Sequence, residues 1–174
     1  MSEAMTRAAR VRLMIFDVDG ILTDGSLHFG ADGEALKTFS VLDGQGMRLI
    51  QDAGIATAII SARQSPIVAR RAADLGVSHV RQGIHDKKSA FLQLLQELGL
   101  SAGECGFIGD DVIDLPVLTR VGFAVSVPNA HAEVRQRVHY ITTATGGKGA
   151  VREVCDYLLR AQQKYDAVMA QFLA

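Results

Sequence analysis

Apolar residues fall along this chain in short runs of two kinds. Val11 to Phe16, Ile55 to Ile60, Cys105 to Ile108 and Phe123 to Val127 are nearly continuous apolar segments bounded by Gly, Asp or Ser. Runs of this length and flanking read as strands buried on both faces, as in a parallel sheet. Between them the spacing changes to that of amphipathic helices. The pattern predicts helices from Asp43 to about Ala53, from Pro66 to about Leu75, from Asp86 to Leu98, from Asp111 to Thr119 and from His131 to Val138. In the third of these, Phe91, Leu94, Leu95 and Leu98 share one face. Asp43 is a plausible N-cap for the first, Ser65 followed by Pro66 starts the second, and Pro116 interrupts the fourth early. Val77 to Arg81 and His139 to Ile141 read as short additional strands. Strands alternating with helices mean βαβ units, so the expected fold is α/β: a doubly wound, Rossmann-like, mainly parallel sheet with helices on both faces.

Two segments depart from that alternation. Ser26 to Phe29 and Ala35 to Ser40 are extended runs around Gly30-Ala31-Asp32-Gly33-Glu34, which predicts a β-hairpin inserted between the first strand and its crossover helix. A flap of residues 26–40 is too small to be a cap domain. It cannot bury Leu36, Phe39 and Val41 by itself, which points to a partner subunit. At the other end, Val151, Val154, Leu158, Ala161, Tyr165, Val168 and Phe172 follow an a/d spacing. That predicts one long final helix, either packed throughout on its own domain or with its tail, residues 164–174, packing on or reaching into a neighbour. Residues 1–10 carry Arg7 and Arg10 without the apolar core of a signal peptide and are expected to be a disordered lead-in. No repeat or linker divides the chain, so residues 1–174 are expected to form a single domain.

Composition narrows the classes of function. The 174 residues are 48% hydrophobic and 21% charged with net charge -1, which suits a globular protein and offers no basic surface for nucleic acid or a membrane. No apolar run approaches the roughly 20 residues of a membrane span. The two cysteines, Cys105 and Cys155, have no ligand-like spacing and read as reduced thiols of a cytoplasmic protein.

The candidate chemistry lies where the strands end. Met14-Ile15-Phe16-Asp17-Val18-Asp19-Gly20 closes the first strand with two acids at i and i+2, delivered to the edge where open α/β sheets place their sites. Phosphomonoester hydrolysis needs a nucleophile in line with phosphorus, neutralisation of the phosphoryl oxygens, and a proton for the leaving alkoxide. Asp17 can attack and form an aspartyl-phosphate, while Asp19 can protonate the leaving group and later activate water. Mg²⁺ would join Asp17 to the phosphate and needs a further carboxylate, which Asp110 offers beyond another strand. Ser61 and Lys87, also beyond strand ends, can supply a hydroxyl and a positive charge. Glycine at the fourth position of the run that starts at Asp17 excludes an EF-hand loop, and Gly146-Gly147-Lys148-Gly149 is not a Walker loop, because no Ser or Thr follows the lysine.

Asp17-Val18-Asp19-Gly20, Ser61, Lys87 and Gly109-Asp110-Asp111 resemble, in order, the four signature motifs of the haloacid dehalogenase superfamily. From about Val11 to Gln162 the chain further resembles the 3-deoxy-D-manno-octulosonate 8-phosphate phosphatase family, a capless branch. The residues that carry this are the run from Phe16 to Gly25, Asp43-Gly44-Gln45-Gly46, Ser61-Ala62-Arg63, Gly109 to Asp114, Pro116-Val117 and Gly146 to Glu153. The resemblance implies a Mg²⁺-dependent, tetrameric phosphatase serving lipopolysaccharide inner-core synthesis. It implies Asp17 as nucleophile, Asp19 as acid/base, and a metal held by Asp17, the Asp19 main-chain carbonyl and Asp110. Ser61 and Lys87 would bind phosphate, and Arg63 would meet the sugar-acid end, since arginine grips a carboxylate bidentately. Asp43, Gly44 and Lys148 are expected to face the substrate, and Asp111 and Asp114 to support the metal ligands from behind. Ala62, Lys148 and Leu42 stand where the family more usually has Gly, Arg and Arg, departures on the substrate-facing rim. Two alternatives stay open: a nine-carbon ulosonate phosphate or another sugar phosphate as substrate, and a non-catalytic scaffold of the same fold.

Overall fold

A computed structural model of the chain describes residues 2–173. Its sheet has six strands in the order β5-β4-β1-β6-β7-β8: β1 Leu13–Phe16, β4 Ala56–Ile60, β5 His79–Arg81, β6 Cys105–Ile108, β7 Phe123–Ser126 and β8 Tyr140–Ile141. Every pairing in it is parallel. The chain leaves β1 in one direction for β4 and β5, then returns to the other side of β1 for β6, so β1 is the topological switch point. Right-handed crossovers put the two groups of helices on opposite faces. Helices α1 (Glu3–Ala8), α2 (Val41–Asp52) and α7 (Ala150–Ala161) pack together on one side, and α4 (Lys87–Leu98) packs with α5 (Leu115–Leu118) on the other. The core between the layers includes Leu13, Ile15, Phe16, Phe91, Phe107 and Phe123, all with no exposed surface.

Strand register sets where the connecting loops emerge. Phe16 lies opposite both Ile59 and Ile108, and the Asp17 amide continues the ladder by donating to the Ile108 carbonyl at 3.0 Å. The segments after β1, β4 and β6 therefore leave the sheet at the same edge.

Several elements differ from expectation, each for a local reason. Glu3–Ala8 is a helix capped by Ser2, whose Oγ accepts from the Met5 amide, where a disordered lead-in is expected. It buries Ala8 and packs on α7. The α2 helix starts two residues earlier than predicted, with Ser40 as its cap. The predicted Asp111 helix is a 3-10 turn, Val112–Asp114, followed by the four-residue α5. Pro116 has no N–H to donate within an α-helix running from Asp111 and fits only a first turn, which is where α5 places it. The final helix is not continuous. It ends at Ala161, Gln163 takes the left-handed conformation (φ 57°), and α8 (Tyr165–Ala170) follows. The seven-residue spacing is satisfied by two helices because Val168 folds back into the core, and Lys164 Nζ donates to the Ala53 carbonyl at 2.8 Å.

The hairpin pairs β2 (His28–Gly30) with β3 (Gly33–Leu36) as a separate two-stranded sheet. Leu27, Phe29, Leu36, Val41 and Leu42 are exposed on and beside it.

Candidate active site

The loops after β1, β4 and β6 meet in a cleft of about 150 Å³ lined by Asp17, Asp19, Ser61, Ala62, Arg63, Asp110, Asp111 and Ile113. Lys87, at the start of α4, reaches the same place from beneath. Its Nζ lies 2.9 Å from Asp17 Oδ1 and 2.6 Å from Asp114 Oδ1. Lys87 is 2% exposed, whereas its neighbour Lys88 points to solvent. Asp114, fully buried, has both oxygens engaged: besides Lys87 on Oδ1 it accepts the amides of Asp110 (3.0 Å) and Asp111 (3.2 Å) on Oδ2. It thereby fixes the turn that presents Asp110. Gly20, at φ 88°, passes so close that a Cβ there would stand 2.0 Å from Asp110 Oδ2. Ser61 Oγ accepts the Arg63 amide at 3.3 Å, which shapes the turn after β4.

The electrostatics of this cluster are those of crowded acids. Burial first, and then Asp114, push the Asp17 carboxyl up to about 7 against the pull of Lys87. Burial, Asp114 and Asp111 raise Asp110 to about 7 as well. Burial by itself would lower Lys87, but Asp17 and Asp114 outweigh it and hold the ammonium above its usual value. One carboxylate oxygen from each of Asp17, Asp110 and Asp114 lies within 4.8 Å of the others. An all-oxygen cluster whose charge is this poorly compensated fits a hard divalent cation.

The hairpin folds over the cleft and contributes residues that the strand-end pattern does not reveal. Lys37, its side chain 1% exposed, ion-pairs with Asp19 Oδ1 and lies 3.0 Å from Glu34 Oε1. Arg63 lies 3.6 Å from Asp19 Oδ2 and 3.8 Å from Glu34 Oε1, with its guanidinium 5.8 Å from the centre of the Phe29 ring. Glu34 also accepts the hydroxyl of Ser65. The available signal in the sequence was two opposite charges at i and i+3 in a flap with little core of its own.

Three expected substrate-facing residues do not line this cleft. Asp43 is 1% exposed, and its carboxylate accepts the amides of Gly149 (3.4 Å) and Arg152 (2.8 Å), so it caps α7 rather than opening into the cleft. Gly44 packs against Arg71 and Leu75. Lys148 is exposed, on a loop that is not free: the Gly147 amide donates to the Ile21 carbonyl at 2.9 Å, and Gly146 abuts the Gly20 carbonyl.

A parallel six-stranded sheet with paired acids at its switch point and a buried lysine beside them defines a phosphoryl-transfer hydrolase of the α/β class. Comparison with known proteins agrees. A haloacid dehalogenase-like hydrolase family matches residues 76–154. The 3-deoxy-D-manno-octulosonate 8-phosphate phosphatase of Escherichia coli (strain B / BL21-DE3) is 44% identical over 170 residues, covering 98% of this chain and 90% of its own. The phosphatase of that name from Moraxella catarrhalis, solved with a magnesium ion, a phosphate ion and a KDO molecule, superposes with TM-score 0.96 at 45% identity and 99% coverage of both chains. A cobalt-bound form from Haemophilus influenzae gives 0.92 at 40% identity, covering 97% of this chain and 99% of its own. The chain belongs to the haloacid dehalogenase-like hydrolases, in the family of the 3-deoxy-D-manno-octulosonate 8-phosphate phosphatases.

Proposed function

We propose that this protein is a Mg²⁺-dependent phosphatase that hydrolyses 3-deoxy-D-manno-octulosonate 8-phosphate to the free sugar acid and phosphate, in lipopolysaccharide inner-core biosynthesis. The observation that carries the reading is the convergence of Asp17, Ser61, Lys87 and Asp110 at one sheet edge, in a chain whose relative of the same fold binds magnesium, phosphate and the sugar acid. Asp17 attacks phosphorus, the ester P–O bond breaks, and Asp19 delivers a proton to the departing 8-oxygen. Water, deprotonated by Asp19, then cleaves the aspartyl-phosphate and releases phosphate. Lys87 and Ser61 hold the phosphoryl oxygens, and Arg63 takes the sugar-acid end. Asp17, Asp110 and the Asp19 main-chain carbonyl would hold Mg²⁺, which when bound neutralises charge on the phosphoryl group. Asp114 is better placed to support than to ligate, since Lys87 and two amides already occupy its oxygens.

The same reading makes the protein a homotetramer, as the family resemblance implies, and the apolar side chains on and beside the hairpin that have no cover within the chain support a subunit contact there. We assign it to the cytoplasm, where free Cys105 and Cys155 stay reduced; no helix among the described residues is long and apolar enough to cross a membrane. The test is phosphate release from a panel of sugar phosphates with Mg²⁺. The eight-carbon ulosonate phosphate is expected to give the highest kcat/KM, and a preference for the nine-carbon analogue would overturn the substrate assignment.

A further inference from the structure

We infer that Glu34 of the hairpin is a positioning residue for the reaction: it latches the flap to the core and orients the two cations that hold the Asp19 carboxylate. This rests on the role proposed above for Asp19. The two oxygens of Asp19 face different segments of the chain, Oδ1 the flap lysine Lys37 and Oδ2 the β4-loop arginine Arg63 at 3.6 Å. Behind both cations stands one carboxylate. Glu34 Oε1 is 3.0 Å from Lys37 and 3.8 Å from Arg63, while Oε2 accepts the hydroxyl of Ser65. Ser65 is itself fixed, because its Oγ caps α3 (Pro66–Asp74) by accepting the Val68 amide at 3.3 Å and its own amide donates to Gln82 at 2.8 Å. A rigid helix start thus anchors Glu34, and Glu34 sets the two groups flanking the acid/base.

A carboxylate that must hand a proton to a leaving group works only if its oxygen points at that group. Loss of the latch should therefore matter most when the leaving group needs protonation. An alkyl oxygen, such as that of a sugar alcohol, depends on it strongly; 4-nitrophenolate leaves with little help. Aspartyl-phosphate formation is the step that expels the leaving group, and kcat/KM reports through that step.

The experiment compares kcat/KM of wild type and Glu34→Gln on the eight-carbon sugar phosphate, on a simple alkyl phosphate and on 4-nitrophenyl phosphate, with association state checked by sedimentation. The expected result is a fall at least tenfold larger on the two alkyl esters than on the aryl ester, at unchanged association state. Lys37→Met should show the same selectivity, and the double variant should lose little beyond the worse single one, because residues acting as a unit are not additive. Equal losses on alkyl and aryl esters would overturn the inference by showing a general structural role, as would no loss on any ester. If wild type rejects the sugar phosphate but hydrolyses the simple alkyl ester, the substrate assignment fails while the latch is still tested on the other pair.

Discussion

Replacing Asp114 by Asn changes one oxygen to an amide nitrogen with almost no change in volume, at a site with no exposed surface. Every hydrogen-bond partner of this carboxylate is a donor: the Lys87 ammonium at 2.6 Å on Oδ1, and the amides of Asp110 and Asp111 on Oδ2. Asparagine has one acceptor oxygen, so whichever way it turns, its NH₂ faces a donor. If the oxygen stays with the amides, the pair with Lys87 is lost. A hydrogen bond to a charged group is worth about 1.5–3 kcal/mol, and a buried donor left facing another adds about 1–3 kcal/mol. Against this, removing the charge relieves Asp17 and Asp110, both of which Asp114 pushes upward. With that offset, the net cost should be about 2–4 kcal/mol. For a chain of this size that is a fall in Tm of roughly 5–15 °C. The assay is thermal unfolding at fixed protomer concentration in excess chelator, so that neither assembly nor metal binding shifts the baseline. Arg70→Ala is the control, because it breaks an exposed pair with Asp74, and surface pairs contribute about 0–1 kcal/mol. A Tm for Asp114→Asn no lower than that of the control would refute the reasoning that Asp114 is saturated by donors.

Asp17→Asn should abolish turnover while leaving fold and association state intact; measurable phosphate release from this variant would rule out covalent catalysis. Gly146→Ala places a Cβ 1.8 Å from the Gly20 carbonyl oxygen, a clash with backbone that no rotamer relieves, and should cost about 3 kcal/mol or more. Urea midpoints within error of wild type would show that the loop yields freely. Phe29→Asp combined with Leu36→Glu should dissociate the assembly, as read by sedimentation velocity, since both side chains are exposed on the hairpin; an unchanged sedimentation coefficient would mean the interface lies elsewhere. Chelation with EDTA should remove activity and Mg²⁺ should restore it, so activity that persists in EDTA would exclude a required divalent cation.

The alternation of strands and helices, and the loops that carry the acids, were legible in the sequence because both are local. A strand ends where its apolar run ends, and the residues just beyond it are delivered to a predictable edge. Element boundaries were less legible where a neighbour decides them. Ser40 and Asp43 are both competent caps for α2; Asp43 is instead drawn to the start of α7, 106 residues away in sequence. The a/d spacing from Val151 to Phe172 is compatible with one helix or two, and only the fold of Val168 onto the core, with Lys164 on Ala53, selects two.

The sequence by itself determined the reaction class, since paired acids after a buried strand, with a serine, a lysine and a further acid after later elements, admit little besides phosphoryl transfer. Tertiary structure decided which groups hold those acids. It chose Lys87 over Lys88 by the register of α4, and it made Asp114 the hub of three donors. It also brought Lys37 down from the hairpin onto Asp19, with Glu34 behind it. The pairs of Lys37 with Asp19 and of Lys87 with Asp114 and Asp17 join residues 18, 27 and 70 positions apart, and contacts at that range depend on how layers pack rather than on any period along the chain.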